Sequence, residues 1–492
     1  MSFGVAIIGA GFGGVGLAVR LKQAGVDFIL IEKGAGVGGV WRENTYPGAA
    51  CDVPSHLYSF SFEPKPDWPR KYAEQPHILG YLEHCARKYD LLSHARFNTE
   101  IESASFDETS GQWTLQVKGG EEFRARVLVT ACGQLNRPAT PALKGLENFR
   151  GEKFHSAQWN HGLDLAGKRV AVVGTGASAI QFVPIVVAKA AKVTLFQRSP
   201  PWIIPKPDRV FTAVEKALMR AIPGIASFYR LMTYLACEAR FLGFQKGTLI
   251  NASGLRLAKG HLRKQVPNEA LRRQLTPDYT FGCKRVLISN HYLPALASPN
   301  VSVVTDQIAE VTAEAIVTAD GQSHPADVLI MGTGFQATDF LAPMRVVGMG
   351  GRDLNEAWRD GAEAYLGLTI PGFPNFFLLY GPNTNLAHSS VVFMIESQIR
   401  YILGCLRILE RRPGAWLDLK PERLRRYAEE IQLRLERSVW GAGCANWYKN
   451  AKGRITNNWP GSTLEYRWRT RAPRLDDYVV TERSAAAEIS RS

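Results

Sequence analysis

Apolar residues come in short runs and helical spacings that repeat along the chain. Val5–Ile8 is an apolar run ending in glycines; Val15–Ala24 has helical spacing, and Phe28–Ile31 is a second apolar run. A run of this length bounded by glycine predicts a buried strand, so the opening predicts strand, turn, helix, strand. The same rhythm returns at Arg169–Val173, Ser178–Ala188 and Lys192–Phe196, with further strand character at Val301–Val304 and Val328–Met331. Asp208 to Leu275 has helical periodicity and few strand signals. Strands alternating with helices predict an α/β fold with parallel sheets. The expected fold is therefore two Rossmann-like dinucleotide-binding domains with a helical insert at about 208–275.

The turns sharpen this picture. Gly9-Ala10-Gly11-Phe12-Gly13-Gly14 follows the first strand, and Glu32 ends the second strand, 23 positions after Gly9. A tight turn needs Gly9, close approach of a pyrophosphate needs Gly11, and helix–strand packing needs Gly14. Glu32 is placed to accept from ribose hydroxyls. The second unit carries Gly174, Gly176 and Ser178, but its second strand ends in Gln197-Arg198-Ser199. A cation where the first unit has a carboxylate favours a 2′-phosphate, hence NADPH over NADH. Two such sites suit a flavin reduced by a nicotinamide.

Composition excludes several alternatives. With 46% apolar and 21% charged residues among 492, the chain reads as an ordinary globular protein. Met1–Val19 and Val170–Ala188 are uncharged, but both contain a glycine turn and read as buried strand and helix, not as leader or membrane span. The net charge of +14 is mostly dispersed. Its densest clusters, at Arg423, Arg425 and Arg426 and at Arg467, Arg469, Arg471 and Arg474, read as solvated surface ahead of nucleic acid or anionic membrane. Seven scattered cysteines without a C-x-x-C pair predict reduced thiols and a cytoplasmic location. No metal site is expected.

Three segments carry a family resemblance. They are Phe149, Gly151, His155 and Trp159 in the spacing F-x-G-x-x-x-H-x-x-x-W; Gly38-Gly39-Val40-Trp41 with Tyr46-Pro47-Gly48 and Asp52; and Gly282-Cys283-Lys284-Arg285. Together they resemble the flavin-dependent Baeyer–Villiger monooxygenases, over nearly the whole chain. Asn160 departs from the residue usual after the tryptophan. Asp327 to Phe335 resembles the return strand of two-dinucleotide flavoproteins, with Gly332 in place of alanine. The resemblance implies an FAD domain split in sequence (1–145 and 329–492) around an NADPH domain (146–328).

It also implies residue roles. Gly39, Trp41, Tyr46 and Asp52 would line the flavin, with Asp52 at its reactive face. Arg285 would reach over the flavin, and Lys284 would join Arg198 and Ser199 at the 2′-phosphate. Gly151, His155 and Trp159 would couple the domains. The turn around Asn383 would offer N–H groups to the flavin, and Trp447, in a carboxy-terminal substrate loop, would cover the cofactor. The implied reaction uses FAD, NADPH and O2 to convert a ketone to an ester or lactone, with sulfoxidation as a side activity. The oxidant would be a C4a-peroxyflavin kept anionic by the Arg285 and Asp52 pair. An amine N-monooxygenase or sulfoxidase of the same class, a disulfide reductase and a non-oxygenating redox sensor are the alternatives.

Overall fold

The computed structural model describes residues 1–444, 446–450 and 452–482; Ala445 of the expected substrate loop and 483–492 of the closing FAD portion lie outside this range. Two sheets carry the two glycine turns. The first is mixed, in the order Arg345–Val347, Ile101–Asp107, Gln112–Val117, Glu122–Thr130, Ser2–Ile8, Phe28–Ile31, Ala95–Arg96, with Phe376–Leu378 along the end of Glu122–Thr130. Its strand Ser2–Ile8 lies parallel to both neighbours, and Val5, Ala6 and Ile7 have no exposed surface. Cover on both faces is why this strand reads as a continuous apolar run. The second sheet is wholly parallel: Val301–Val304, Lys192–Phe196, Arg169–Val173, Val328–Met331, Glu152–His155.

The chain thus leaves the first sheet after Thr130, builds the second, and rejoins the first at Arg345. Val328–Met331 is hydrogen-bonded between two strands of the second sheet, so the expected division at 328/329 would cut a strand; the return crossing begins after Met331. The two crossings run side by side. Ala139 N donates to Gly334 O at 2.9 Å, Gln336 N to Arg137 O at 2.9 Å, and Thr333 Oγ1 to Ala139 O at 2.6 Å. Asp327 pins the start of the return strand, accepting from the Arg169 amide at 2.8 Å and its guanidinium at 2.6 Å.

Close packing explains the glycine pattern. A Cβ on Gly9 would lie 2.6 Å from the Ala131 carbonyl oxygen, and one on Gly174 would lie 2.3 Å from that of Gly332. Each turn therefore backs onto the segment by which the chain leaves its sheet. In the first unit a Cβ on Gly14 would come within 1.8 Å of Gly9 O, while Ala131 carries the methyl group. In the second unit Ala179 occupies the helix start, and a Cβ on Gly332 would stand 3.3 Å from its methyl group. That close approach favours Gly332 where the pattern has alanine.

The insert consists of helices Ala213–Ala221, Ile225–Ala239, Leu249–Gln265 and Glu269–Gln274. A small antiparallel sheet, Ile308–Val311, Ala315–Thr318 and Ser323–Pro325, is inserted between the last two strands of the second unit; its strands are too short for a clear period in the sequence. The expectation of seven reduced thiols is corrected. Cys283 and Cys444 form a disulfide with Cα atoms 6.4 Å apart, while the other five cysteines are free. The pair is 161 residues apart, so only folding brings it together.

Gly14→Ala tests this packing. The added methyl meets backbone, which cannot rotate away, so a loss of about 1–3 kcal/mol and weakened FAD retention are expected. Thermal melts followed by flavin fluorescence measure both; an unchanged melting temperature with full flavin content would contradict the packing argument.

Candidate active site

Two sequence-predicted residues 233 positions apart meet at the junction of the units: Arg285 Nη2 donates to Asp52 Oδ2. About 30% of each side chain remains accessible, so the pair lines a cleft and is not sealed in a core. Burial alone would raise the Asp52 carboxyl, but the charge and hydrogen bond of Arg285, aided by Lys206, outweigh it and hold the carboxyl below its ordinary range. Arg285 is raised in turn by Asp52. The result is a fixed carboxylate holding a permanent cation.

Phenols wall this pair. Tyr46, Tyr380 and Tyr448 all feel the charges of both Asp52 and Arg285, and burial pushes each phenol up, Tyr448 to about 12. They stay protonated and add no competing anion. Trp447 packs beside Tyr448 with ring centres 4.4 Å apart. The disulfide and a 3.0 Å hydrogen bond from Asn446 Nδ2 to Cys283 O tie this loop to the segment bearing Arg285.

The segment before Asp52 is seated on the second unit by Gln181. Tyr46 Oη donates to Gln181 Oε1 at 2.9 Å, and Gln181 Nε2 donates to Ala50 O at 2.9 Å. Gly48 is required here, because a Cβ would stand 2.7 Å from the Gln181 carbonyl oxygen. Sequence reading missed Gln181 and Lys206; Tyr380 and Tyr448 lie in the turn and the substrate loop that the resemblance marked, without a role of their own. Gln181 had a signal, one turn into the helix after Gly176; Lys206 had none.

The residues present fit an FAD. Gly11 and Gly39 face each other so closely that a Cβ on Gly39 would lie 3.0 Å from Gly11 Cα, leaving a cradle of bare backbone for a pyrophosphate. Buried Glu32 accepts from Ala10 N at 2.7 Å and Gly34 N at 2.8 Å. Each carboxylate oxygen keeps a lone pair for a ribose hydroxyl. Trp41 is held by its indole N–H, which donates to Tyr58 Oη at 3.2 Å.

They also fit an NADPH. No heavy atom stands within 4 Å of where a Gly176 Cβ would be, and Ser178 lies at the start of the following helix. Lys284 Nζ donates to Ser199 Oγ at 2.7 Å, and Arg198 is exposed at the strand end. Burial and then the Arg198 charge lower the Lys284 ammonium, partly offset by Asp278. Two converging cations are an arrangement that a phosphate dianion relieves.

The remaining expected residues lie at the crossings. Gly151 allows approach to the return strand, since a Cβ would lie 2.4 Å from Asp327 O. His155 is buried; its Nδ1 accepts from Ala157 N at 3.1 Å, its Nε2 has no partner, and its ring lies edge-on to Phe335 of the return crossing. Burial lowers its pKa, so it is neutral. Trp159 packs on Phe182, one residue after Gln181. Asn383 differs from expectation. Its amide donates to Thr456 O at 2.7 Å and its side chain to Ile455 O and Asn458 O, so it fastens its turn to the carboxy-terminal segment and offers no free N–H.

A Flavin-binding monooxygenase-like family model matches residues 3–219. A Baeyer–Villiger monooxygenase of Pseudomonas aeruginosa is 48% identical over 98% of this chain and 92% of its own. An oxidized steroid monooxygenase bound to NADP superposes with a TM-score of 0.87 at 31% identity, covering 98% of this chain and 100% of that one. OTEMO in complex with FAD and NADP superposes equally, at 0.87 and 28% identity, covering 95% and 97%. The chain belongs to the Baeyer–Villiger monooxygenase family. It is an FAD- and NADPH-dependent, oxygen-inserting monooxygenase.

The lowered Asp52 carboxyl predicts a pH dependence. Its contribution to stability is complete above the unfolded value of about 3.9 and is lost as pH falls through the lower folded value. Asp52→Asn cannot titrate, so it is expected to cost roughly 1–3 kcal/mol at neutral pH and to flatten the decline below about pH 4. Thermal melts across pH decide; an acid decline as steep as the wild type's would place the sensitivity elsewhere.

Proposed function

We propose that the enzyme takes a ketone into the cleft beside Asp52 and Arg285 and inserts one oxygen atom of O2 next to the carbonyl, giving an ester or lactone. The observation that carries this reading is the Asp52–Arg285 pair, ionised, accessible and walled by neutral phenols. Bound FAD, reduced by NADPH, supplies the activated oxygen. Negative charge then develops at the carbonyl, and Arg285 is the group positioned to stabilise it; Asp52 keeps the guanidinium aimed. Ketone, O2, NADPH and one proton give ester, NADP+ and water. The Baeyer–Villiger name of the Pseudomonas relative supports the ketone assignment. Sulfides are proposed as side substrates.

In this reading Gly9, Gly11, Gly14, Glu32, Gly39, Trp41, Tyr46 and Asp52 hold FAD. Gly174, Gly176, Ser178, Arg198, Ser199 and Lys284 hold NADPH. Gly151, His155 and Trp159 couple the units through the paired crossings, while Asn383 and Trp447 shape the cover from the carboxy-terminal side. The FAD domain comprises 1–145 and the segment beyond Met331, around the NADPH domain. The cytoplasm is the location that NADPH consumption calls for.

The test is Arg285→Ala, assayed with a panel of cyclic, linear and aryl ketones by mass spectrometry. Ester formation is expected to fall on the order of a hundredfold or more. FAD content should be retained, and residual NADPH oxidation should end in hydrogen peroxide. Near wild-type ester yield per NADPH would overturn the role of Arg285.

A further inference from the structure

A surface helix normally turns its apolar stripe inward. Ile225–Ala239 also carries one outward. Its inward side, with Tyr229 and the buried Cys237, is fastened by polar groups: Arg230 donates to Ser59 Oγ at 3.1 Å, and Tyr234 Oη bonds Thr463 Oγ1 at 3.0 Å. Glu238 completes that side, accepting from the Thr463 amide at 2.6 Å and hydroxyl at 2.7 Å. These residues, spaced i, i+4, i+8, fasten the helix to the flavin-binding part of the molecule. Phe228, Leu231, Met232 and Leu235, spaced i, i+3, i+4, i+7, face outward, with Phe228 64% exposed and the others about half. The neighbouring helix Ala213–Ala221 exposes Val214 and Leu218 one turn apart. Single exposed apolar side chains need no explanation, but a stripe continued across adjacent helices does.

Charge identifies what covers it. Residues 210–265 hold nine Lys and Arg against two Asp and Glu, which is half of the chain's excess of +14. Both carboxylates are engaged, Glu215 with Thr212 and Arg209 and Glu238 with Thr463, and of the nine cations Arg220 pairs with Asp67 and Arg230 with Glu396. Arg256 and Lys259 stand exposed on Leu249–Gln265 of the same insert, beside the half-exposed Leu257. A second copy of this chain would bring like charge against like. An anionic bilayer instead offers an apolar boundary for the side chains and phosphates for the cations. No helix among the described residues is long and apolar enough to cross a membrane, so the contact is peripheral.

We propose that the helical insert docks on the surface of an anionic phospholipid bilayer. The proposal is independent of which ketone the enzyme oxidises. Its test is co-sedimentation of the holoenzyme with phosphatidylglycerol–phosphatidylcholine vesicles and with pure phosphatidylcholine vesicles, alongside light scattering without lipid. Anionic vesicles should bind the enzyme at least ~10-fold more tightly, with the difference shrinking at high salt. Phe228→Glu with Leu231→Glu should abolish vesicle binding and leave FAD content and NADPH oxidation with a water-soluble ketone unchanged. Arg256→Glu with Lys259→Glu should weaken binding to anionic vesicles alone, and this pair decides the matter if the first variant misfolds. Absence of binding, or equal binding by wild type and variants, would overturn the proposal. So would a concentration-dependent dimer broken by the Phe228 and Leu231 substitutions without any vesicle binding, which would assign the face to a second copy.

Discussion

One ion pair depends on nearly everything else in the molecule. Asp52 comes from a glycine-rich segment of the first unit and Arg285 from the segment that follows the second unit's helical insert, 233 residues later. Leaving either charge unpaired in a partly buried cleft would be costly. Their meeting requires both units to be folded and seated. The Gln181 clamp on Tyr46 and Ala50 and the disulfide between Cys283 and Cys444 hold the two sides of that meeting in register.

The two units pack their glycine turns against the exit segments in related ways. In the first unit Gly13 faces the Ala131 methyl, where a Cβ would stand at 3.2 Å; in the second, Gly332 faces the Ala179 methyl, where a Cβ would stand at 3.3 Å. Both exits feed the paired crossings, where Phe335 meets the neutral, buried ring of His155.

Local patterns were legible in the sequence because their causes are local. Glycine turns, buried parallel strands and the carboxylate of Glu32 at its strand end each follow from a few adjacent residues, and the helical insert from its period. The Asp52–Arg285 pair was legible only through family resemblance, since nothing in either segment reports the other. Contacts set by tertiary packing were not legible: the tyrosine wall, the Gln181 clamp, the disulfide and the use of Asn383 as a fastener. The inward placing of Arg230, Tyr234 and Glu238 is likewise set by tertiary packing, against the usual rule that the polar stripe of a helix marks the solvent side.

The central claim is that Asp52 acts through Arg285 and not on its own. A double-mutant cycle measures this directly, with Asp52→Ala, Arg285→Ala and the two combined, read as the rate of ester formation at saturating NADPH and ketone. If Asp52 only aims the guanidinium, the double variant will be no slower than Arg285→Ala alone, leaving a coupling as large as the Asp52→Ala effect. Losses that add independently would show that Asp52 has a separate role and contradict the account.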